Sequence, residues 1–128
     1  MKIRLTSIMV DDQDKALAFY TRTLGFIKKR EIPLGDHKFL TVVSNEEQDG
    51  VELLLEPMAF EPARVFQKAL FDAGIPLAVF HVGDIDKEYE RLIKAGVIFS
   101  MPPTQMGISK LAIFKDTCGN NIQLVQVL

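Results

Sequence analysis

The chain is short of the residues that many catalytic and structural chemistries depend on. Its 128 residues include one cysteine, Cys118, two histidines, His37 and His81, and no tryptophan. One cysteine cannot close an intramolecular disulfide, and two histidines leave little material for a triad or a multi-histidine mechanism. Charge of either sign is not in excess: 15 basic residues stand against 17 acidic ones, a net charge of −2, and there is no basic run. That balance argues against nucleic acid or an anionic membrane surface as a partner. No apolar run approaches the roughly 20 residues of a membrane helix, and Met1-Lys2-Ile3-Arg4 does not open an apolar signal core. Gly-rich phosphate cradles of the G-x-G-x-x-G or P-loop kind are also missing. What these absences leave is a cytoplasmic globular protein, one domain over residues 1–128, whose expected partners are small molecules or proteins. At 48% apolar composition a chain of this length buries roughly two-thirds of its unfolded surface.

What is present is a repeat. Val10, Asp12, Asp14 and Lys15 recur as Val82, Asp84, Asp86 and Lys87, and the Gly25 that follows the first motif recurs as Gly96. Each copy reads as a strand end, an Asp at a helix N-cap, a helix, and a Gly just past its C-terminus. Around the first copy, strands are predicted at residues 3–10, 26–32, 37–43 and 50–56, with polar turns at 33–36 and 44–49 and a helix from Asp12 to Leu24. Pro57 is expected to stop the last strand. Around the second copy, strands are predicted at 77–82, 97–100, 110–114 and 121–127, with a helix from Asp84 to Ala95. The fold class is therefore α+β: two tandem βαβββ modules, residues 1–57 and 77–128, joined by a linker helix within residues 58–76. Val65, Phe66, Ala69 and Leu70 supply the apolar stripe of that helix. A shift of 71 residues aligns Leu40 with Leu111, Val42 with Ile113, Glu52 with Gln123 and Leu53 with Leu124. A four-stranded sheet covers one face with its helix, so two such sheets can enclose a cleft between their uncovered faces.

The motif Val10-Asp11-Asp12-Gln13-Asp14-Lys15-Ala16-Leu17-Ala18-Phe19-Tyr20 with Leu24-Gly25-Phe26, the paired modules, and the ending Asp116-Thr117-Cys118-Gly119-Asn120-Asn121-Ile122-Gln123-Leu124 resemble the vicinal oxygen chelate superfamily. That superfamily holds glyoxalase I, bleomycin and fosfomycin resistance proteins and extradiol dioxygenases, and the resemblance spans essentially the whole chain. It implies the fold, a homodimer, and, in the family's enzymes, a divalent metal held by four side chains from the first and last strands of each module. Carried over by position, those four places fall on Leu5, Glu52, Leu77 and Gln123. Leucine cannot bind a metal, and a carboxylate with a neutral amide is a weak donor set for zinc, nickel or iron. The expectation is no bound cofactor and no complete metal site; Glu52 and Gln123 are the ligands if a divalent metal binds at all.

Strand parity lines the expected cleft with Leu5, Ser7, Met9, Leu54, Leu77, Val79, Val125 and Val127, with Glu52, Gln123 and His81 as its few polar groups. The reading that follows is a binding protein for a partly apolar small molecule. Its alternatives are a metal-dependent glyoxalase-like lyase or dioxygenase, in which Glu52 is a ligand or general base, and an antibiotic-sequestering resistance protein. Against a role for Glu52 stands that of a half-buried strand carboxylate paired to Gln123 or a lysine. His37 reads as an exposed hairpin residue, Cys118 as a structural turn residue, and Glu56 as a rim carboxylate. Phe60, Phe66 and Phe71 read as packing of the linker helix onto a sheet, and Met101 to Met106 as a loop around Pro102-Pro103.

Overall fold

Two four-stranded sheets organise the chain, one in each of two units, residues 1–66 and residues 67–128. The structure is a computed structural model that describes all of residues 1–128. In the first unit the elements are β1 (Leu5–Val10), α1 (Gln13–Ala18) continued by a π-helical turn (Phe19–Thr23), β2 (Ile27–Leu34), β3 (His37–Val43) and β4 (Glu52–Pro57), in sheet order β1-β4-β3-β2. After α2 (Glu61–Asp72), the second unit has β5 (Ala78–His81), α3 (Ile85–Lys94), β6 (Phe99–Met106), β7 (Ser109–Lys115) and β8 (Asn121–Val127), in sheet order β5-β8-β7-β6. The first and last strands of each sheet run parallel and the others antiparallel. This is the paired βαβββ, α+β architecture. No helix is long and apolar enough to cross a membrane.

The repeated residues make repeated structure. The Asp12 carboxylate accepts from the Lys15 backbone N–H at 3.0 Å and that of Asp84 from Lys87 at 3.1 Å, each satisfying a first-turn donor that the helix itself cannot. Gly25 and Gly96 end these helices at φ of 91° and 89°, a left-handed conformation that costs a residue with a Cβ about 1–2 kcal/mol. The Lys38 ammonium meets Asp14 at 2.6 Å, and 72 residues on Lys110 meets Asp86 at 2.6 Å.

One face of each sheet carries the core. In the first unit Ile8, Val10, Leu40, Val42 and Leu55 are buried together with Ala16, Phe19 and Tyr20 of the helix. In the second, Ala112, Phe114, Ile122 and Leu124 are buried with Ile85 and Leu92. Each large apolar side chain taken from water contributes about 1.5–3 kcal/mol. The π-helical turn adds a residue to the first helix and lets the consecutive rings of Phe19 and Tyr20 both be buried, edge to face at 5.6 Å. Their counterparts 72 residues on, Arg91 and Leu92, sit in a regular α-helix with only the leucine inside.

Three expectations need correction. Residues 101–106 are strand, not loop: β6 runs through Pro102-Pro103 by two shifts of register against β7, which an edge strand tolerates because its outer N–H groups need no partner. Pro57 does end β4, as its last residue, so that strand runs one residue further than expected. The stripe Val65 and Phe66 of α2 is exposed, as is Phe60, while Gln67 is the buried residue of that helix. Its amide donates to the Cys118 carbonyl at 3.2 Å and to the Asn120 side chain at 3.0 Å. Finally, the ion pairs and the buried positions of β3 and β7 match at a shift of 72, not 71, so Leu40 and Val42 correspond to Ala112 and Phe114. Leu111 and Ile113 lie on the opposite face of β7.

Candidate functional site

Alternation along the strands leaves each sheet a second face, turned away from its helix. In the first unit that face carries Leu5, Ser7 and Met9 of β1, Glu52 and Leu54 of β4, and Thr41 and Val43 of β3. Leu5 is 46% exposed, Met9 and Leu54 are half-buried, and Thr41 and Val43 are buried. Leu5 stands directly opposite Glu52 in the parallel ladder, and Ser7 opposite Leu54.

Glu52 is not a lone carboxylate. Its Oε1 accepts the Thr41 hydroxyl at 2.7 Å and the Arg30 Nε–H at 2.9 Å. The Thr41 hydrogen bond, with the Arg30 guanidinium behind it, holds the Glu52 carboxyl below the usual carboxylate range against the opposing effect of burial. Arg30 reaches it through a β-bulge. Lys28 pairs with Val42 in β3, but the next pair is Arg30 with Thr41, so Lys29 is the extra residue and Arg30 takes the place over Thr41. The partners of Glu52 are thus an arginine and a threonine. Neither is visible as a partner from the sequence, because a bulge has no local signature in a polar edge strand such as Lys28-Lys29-Arg30-Glu31.

In the second unit the corresponding face carries Val79 and His81 of β5, Gln123, Val125 and Val127 of β8, and Ile113 of β7. Val79 is 49% exposed, His81 is exposed, Gln123 is half-buried and Val125 is buried. Gln123 faces Val79 on one side and Ile113 on the other, and no protein group bonds its amide. Leu77 precedes β5 and donates its backbone N–H to the Asn121 carbonyl. Asn121 is therefore beside Leu77 as Glu52 is beside Leu5. The amide of Asn121 donates to the Phe71 carbonyl at the end of α2. The connection from β3 to β4 spans residues 44–51 and that from β7 to β8 only 116–120. Those three missing residues move the ladder, which is why Gln123 does not fall on the place of Glu52.

This chemistry suits a metal poorly. Two of the four positions are leucine, Glu52 is engaged by a cation and a hydroxyl, and no three His, Cys, Asp or Glu side chains gather where they could hold a metal ion. A concavity of about 260 Å³ in the first unit lies elsewhere, rimmed by Asp12, Asp14, Asp36, His37, Lys38 and Arg64. Several of its polar groups are spent on structure: Asp12 caps α1, Asp14 pairs with Lys38, and Gln13 bonds both backbone groups of Lys38 and the Leu55 carbonyl. The other candidates fall where local packing puts them, with Cys118 buried and His37 and Glu56 exposed.

Comparison with known proteins agrees with this geometry. The family model described as Glyoxalase/Bleomycin resistance protein/Dioxygenase superfamily matches residues 2–124. The uncharacterised protein YurT of Bacillus subtilis (strain 168) is 54% identical over 98% of this chain and 99% of its own length. Among solved structures, UcmS2 is 32% identical, covers 98% of this chain and 97% of its own, and superposes with a TM-score of 0.84. TnmS3, described as an antibiotic binding protein from Streptomyces sp. CB03234, is 26% identical, covers 100% of this chain and 97% of its own, and has a TM-score of 0.77.

Proposed function

Since the chain belongs to the glyoxalase/bleomycin resistance protein/dioxygenase superfamily, we propose that it is one of the superfamily's binding members, holding a partly apolar small molecule on the second faces of its sheets without metal chemistry. The observation that carries this reading is the condition of Glu52, whose Oε1 is committed to Arg30 and Thr41 beside a leucine that offers no donor. A carboxylate held as an ion by a guanidinium is a poor general base. A cation brought to it would have to compete with Arg30 while finding fewer than the three protein ligands that catalytic zinc takes. In the first unit Leu5 and Leu54, and in the second Val79 and Val125, each with sparse polar groups beside them, suit an apolar ligand surface. The antibiotic-binding description of a related structure favours the sequestering form of this reading, in which ligand is held stoichiometrically without turnover.

The same reading includes a homodimer in the cytoplasm. Exposed Leu5 and Val79 lie on edge strands β1 and β5, and such edges are commonly covered by a second chain; the lone buried Cys118 suits a reducing compartment. Light scattering at about 100 micromolar, far above typical interface dissociation constants, is expected to give twice the chain mass, and the monomer mass there would remove the dimer. For the binding reading, protein dialysed against zinc, nickel or manganese is expected to retain well below one equivalent, with almost no gain in melting temperature. Stoichiometric retention that Glu52→Ala abolishes would move the lyase or dioxygenase ahead.

A further inference from the structure

Both bonds to Glu52 fall on one oxygen. Oε1 takes the Thr41 hydroxyl and the Arg30 Nε–H, which leaves Oε2 an acceptor with no protein partner. Arg30 in turn spends only Nε, so its two terminal NH2 groups remain donors, and its side chain is 53% exposed while that of Glu52 keeps 17%. We infer that this pair is a recognition element, and that the ligand it selects is a neutral, largely apolar molecule presenting an amide edge, an N–H beside a C=O, as a lactam or imide does.

Charge decides first, and shape second. Glu52 and Arg30 cancel, so an anion arriving at Arg30 meets the carboxylate and a cation arriving at Glu52 meets the guanidinium; neither gains from net charge. A neutral group with donor and acceptor side by side meets no repulsion and can give its N–H to Oε2 while accepting from a terminal N–H of Arg30, both charge-assisted bonds. Leu5, Leu54 and Ile32 share the face, Leu5 and Ile32 being 46% and 49% exposed, and the neighbouring charge of Lys29 is itself paired with Asp49 at 3.6 Å. Two features hold the pair in place before any ligand arrives. Thr41 is fully buried, which fixes its hydroxyl and with it the rotamer of Glu52, and the bulge in β2 aims the planar guanidinium rather than the flexible amine of Lys29. The second unit has nothing comparable, since Ile113 stands 72 residues beyond Thr41 and pairs with Met101.

The inference rests on the reading of this face as a ligand surface, and the test separates the two. The whole protein is titrated with 2-quinolinone, with 1-methyl-2-quinolinone, which keeps the carbonyl but lacks the N–H, and with naphthalene, which lacks both. Binding is followed by NMR at the methyls of Leu5 and Leu54 and at the Arg30 Nε–H. The expected result is that 2-quinolinone binds about ten-fold more tightly than its N-methyl form, in line with one charge-assisted bond, that both quinolinones but not naphthalene move the Arg30 signal, and that Glu52→Met, which removes the Oε2 acceptor of the N–H, removes the preference. If all three shift the leucine methyls with equal affinity, the amide inference is overturned and the apolar surface stands. A preference that survives Glu52→Met overturns the amide inference in the same way. If none reaches those methyls, both fall. The comparison of the two quinolinones on unaltered protein needs no variant to fold.

Discussion

The two units share a scaffold and differ in what the scaffold displays. Helix caps and the ion pair from helix to hairpin recur 72 residues apart with nearly the same distances, and the glycine stops recur 71 apart. On the second face the same positions diverge: Arg30 and Thr41 against Met101 and Ile113. The polar investment is reversed at the other end of the sheets. The connection before β4 is eight exposed or half-buried residues without a buried network, whereas the one before β8 is built on buried Asp116, Cys118 and Asn120, with Gln67 of α2 bonded into it. The first unit thus keeps its paired charges where a ligand can reach them. The second uses its polar groups to lock a turn.

The largest effect expected from breaking this contrast is at Asp116. Its carboxylate accepts from the Cys118 N–H at 2.8 Å, the Asn120 N–H at 3.0 Å and the Asn120 amide at 2.8 Å, all buried. Asp116→Ala strands those donors, and at about 1–3 kcal/mol for each buried donor left unsatisfied the loss is expected to exceed about 3 kcal/mol. The residue 72 positions earlier, Ser44, is exposed, and Ser44→Ala is expected to change stability by less than about 0.5 kcal/mol. Urea denaturation of the two variants measures the difference, and similar losses would mean that the two turns are not differently built. Gly119 tightens the same turn: it has φ of 96°, and a Cβ there would lie 2.8 Å from the Gln67 side chain.

How far such contrasts can be read from the amino-acid order depends on their range. Asp12 with Gly25 and Asp84 with Gly96 are local signals, interpretable because capping and left-handed turns are decided within a few residues. All eight strands and three helices are legible that way, with their ends displaced by a few residues. The site is less so. Glu52 and Leu5 are found by spacing from the motif, but Arg30 meets Glu52 only because one residue bulges out of β2. Gln123 misses the place equivalent to that of Glu52 only because the connection before β8 is three residues shorter than the one before β4. The exposed stripe of α2 misleads for the related reason that helical spacing shows which residues share a face, not which face packs.

A smaller effect is expected at Thr41, and its pH dependence rather than its size distinguishes the units. Thr41→Val removes the hydroxyl that does most to lower the Glu52 carboxyl, and is expected to cost about 1 kcal/mol at neutral pH. A carboxyl whose folded pKa is depressed contributes stability above its unfolded pKa and loses it as pH falls through the folded one. The gap between unaltered protein and Thr41→Val should therefore close in acid. Ile113→Val, at the same position of the second unit, removes one methylene for a comparable cost that should not follow this titration. Melting curves across the acid range, with the Glu52 carboxyl followed by NMR, check both; a gap that stays constant with pH would show that Thr41 acts by packing alone.

The smallest effect tests the part the units have in common. Lys38 and Lys110 each reach back to the first turn of a helix, at Asp14 and Asp86, but Lys38 also lies 3.5 Å from Glu31. The Asp14 hydrogen bond, followed by the attraction of Asp14 and Glu31, raises the Lys38 pKa against a lowering by burial. Its contribution is accordingly present below the usual ammonium range and lost as pH rises through the raised value. Exposed ion pairs of this kind are worth little, so Lys38→Met and Lys110→Met are each expected to lower the melting temperature by no more than about 2 °C. The Lys38 variant should fall further because it loses two carboxylate partners. High salt, which screens exposed charges within a few ångströms, should shrink both losses. If Lys110→Met proved the costlier of the two, or if salt left the losses unchanged, the duplicated ion pair would be holding its hairpin by the lysine's methylene packing and not by charge.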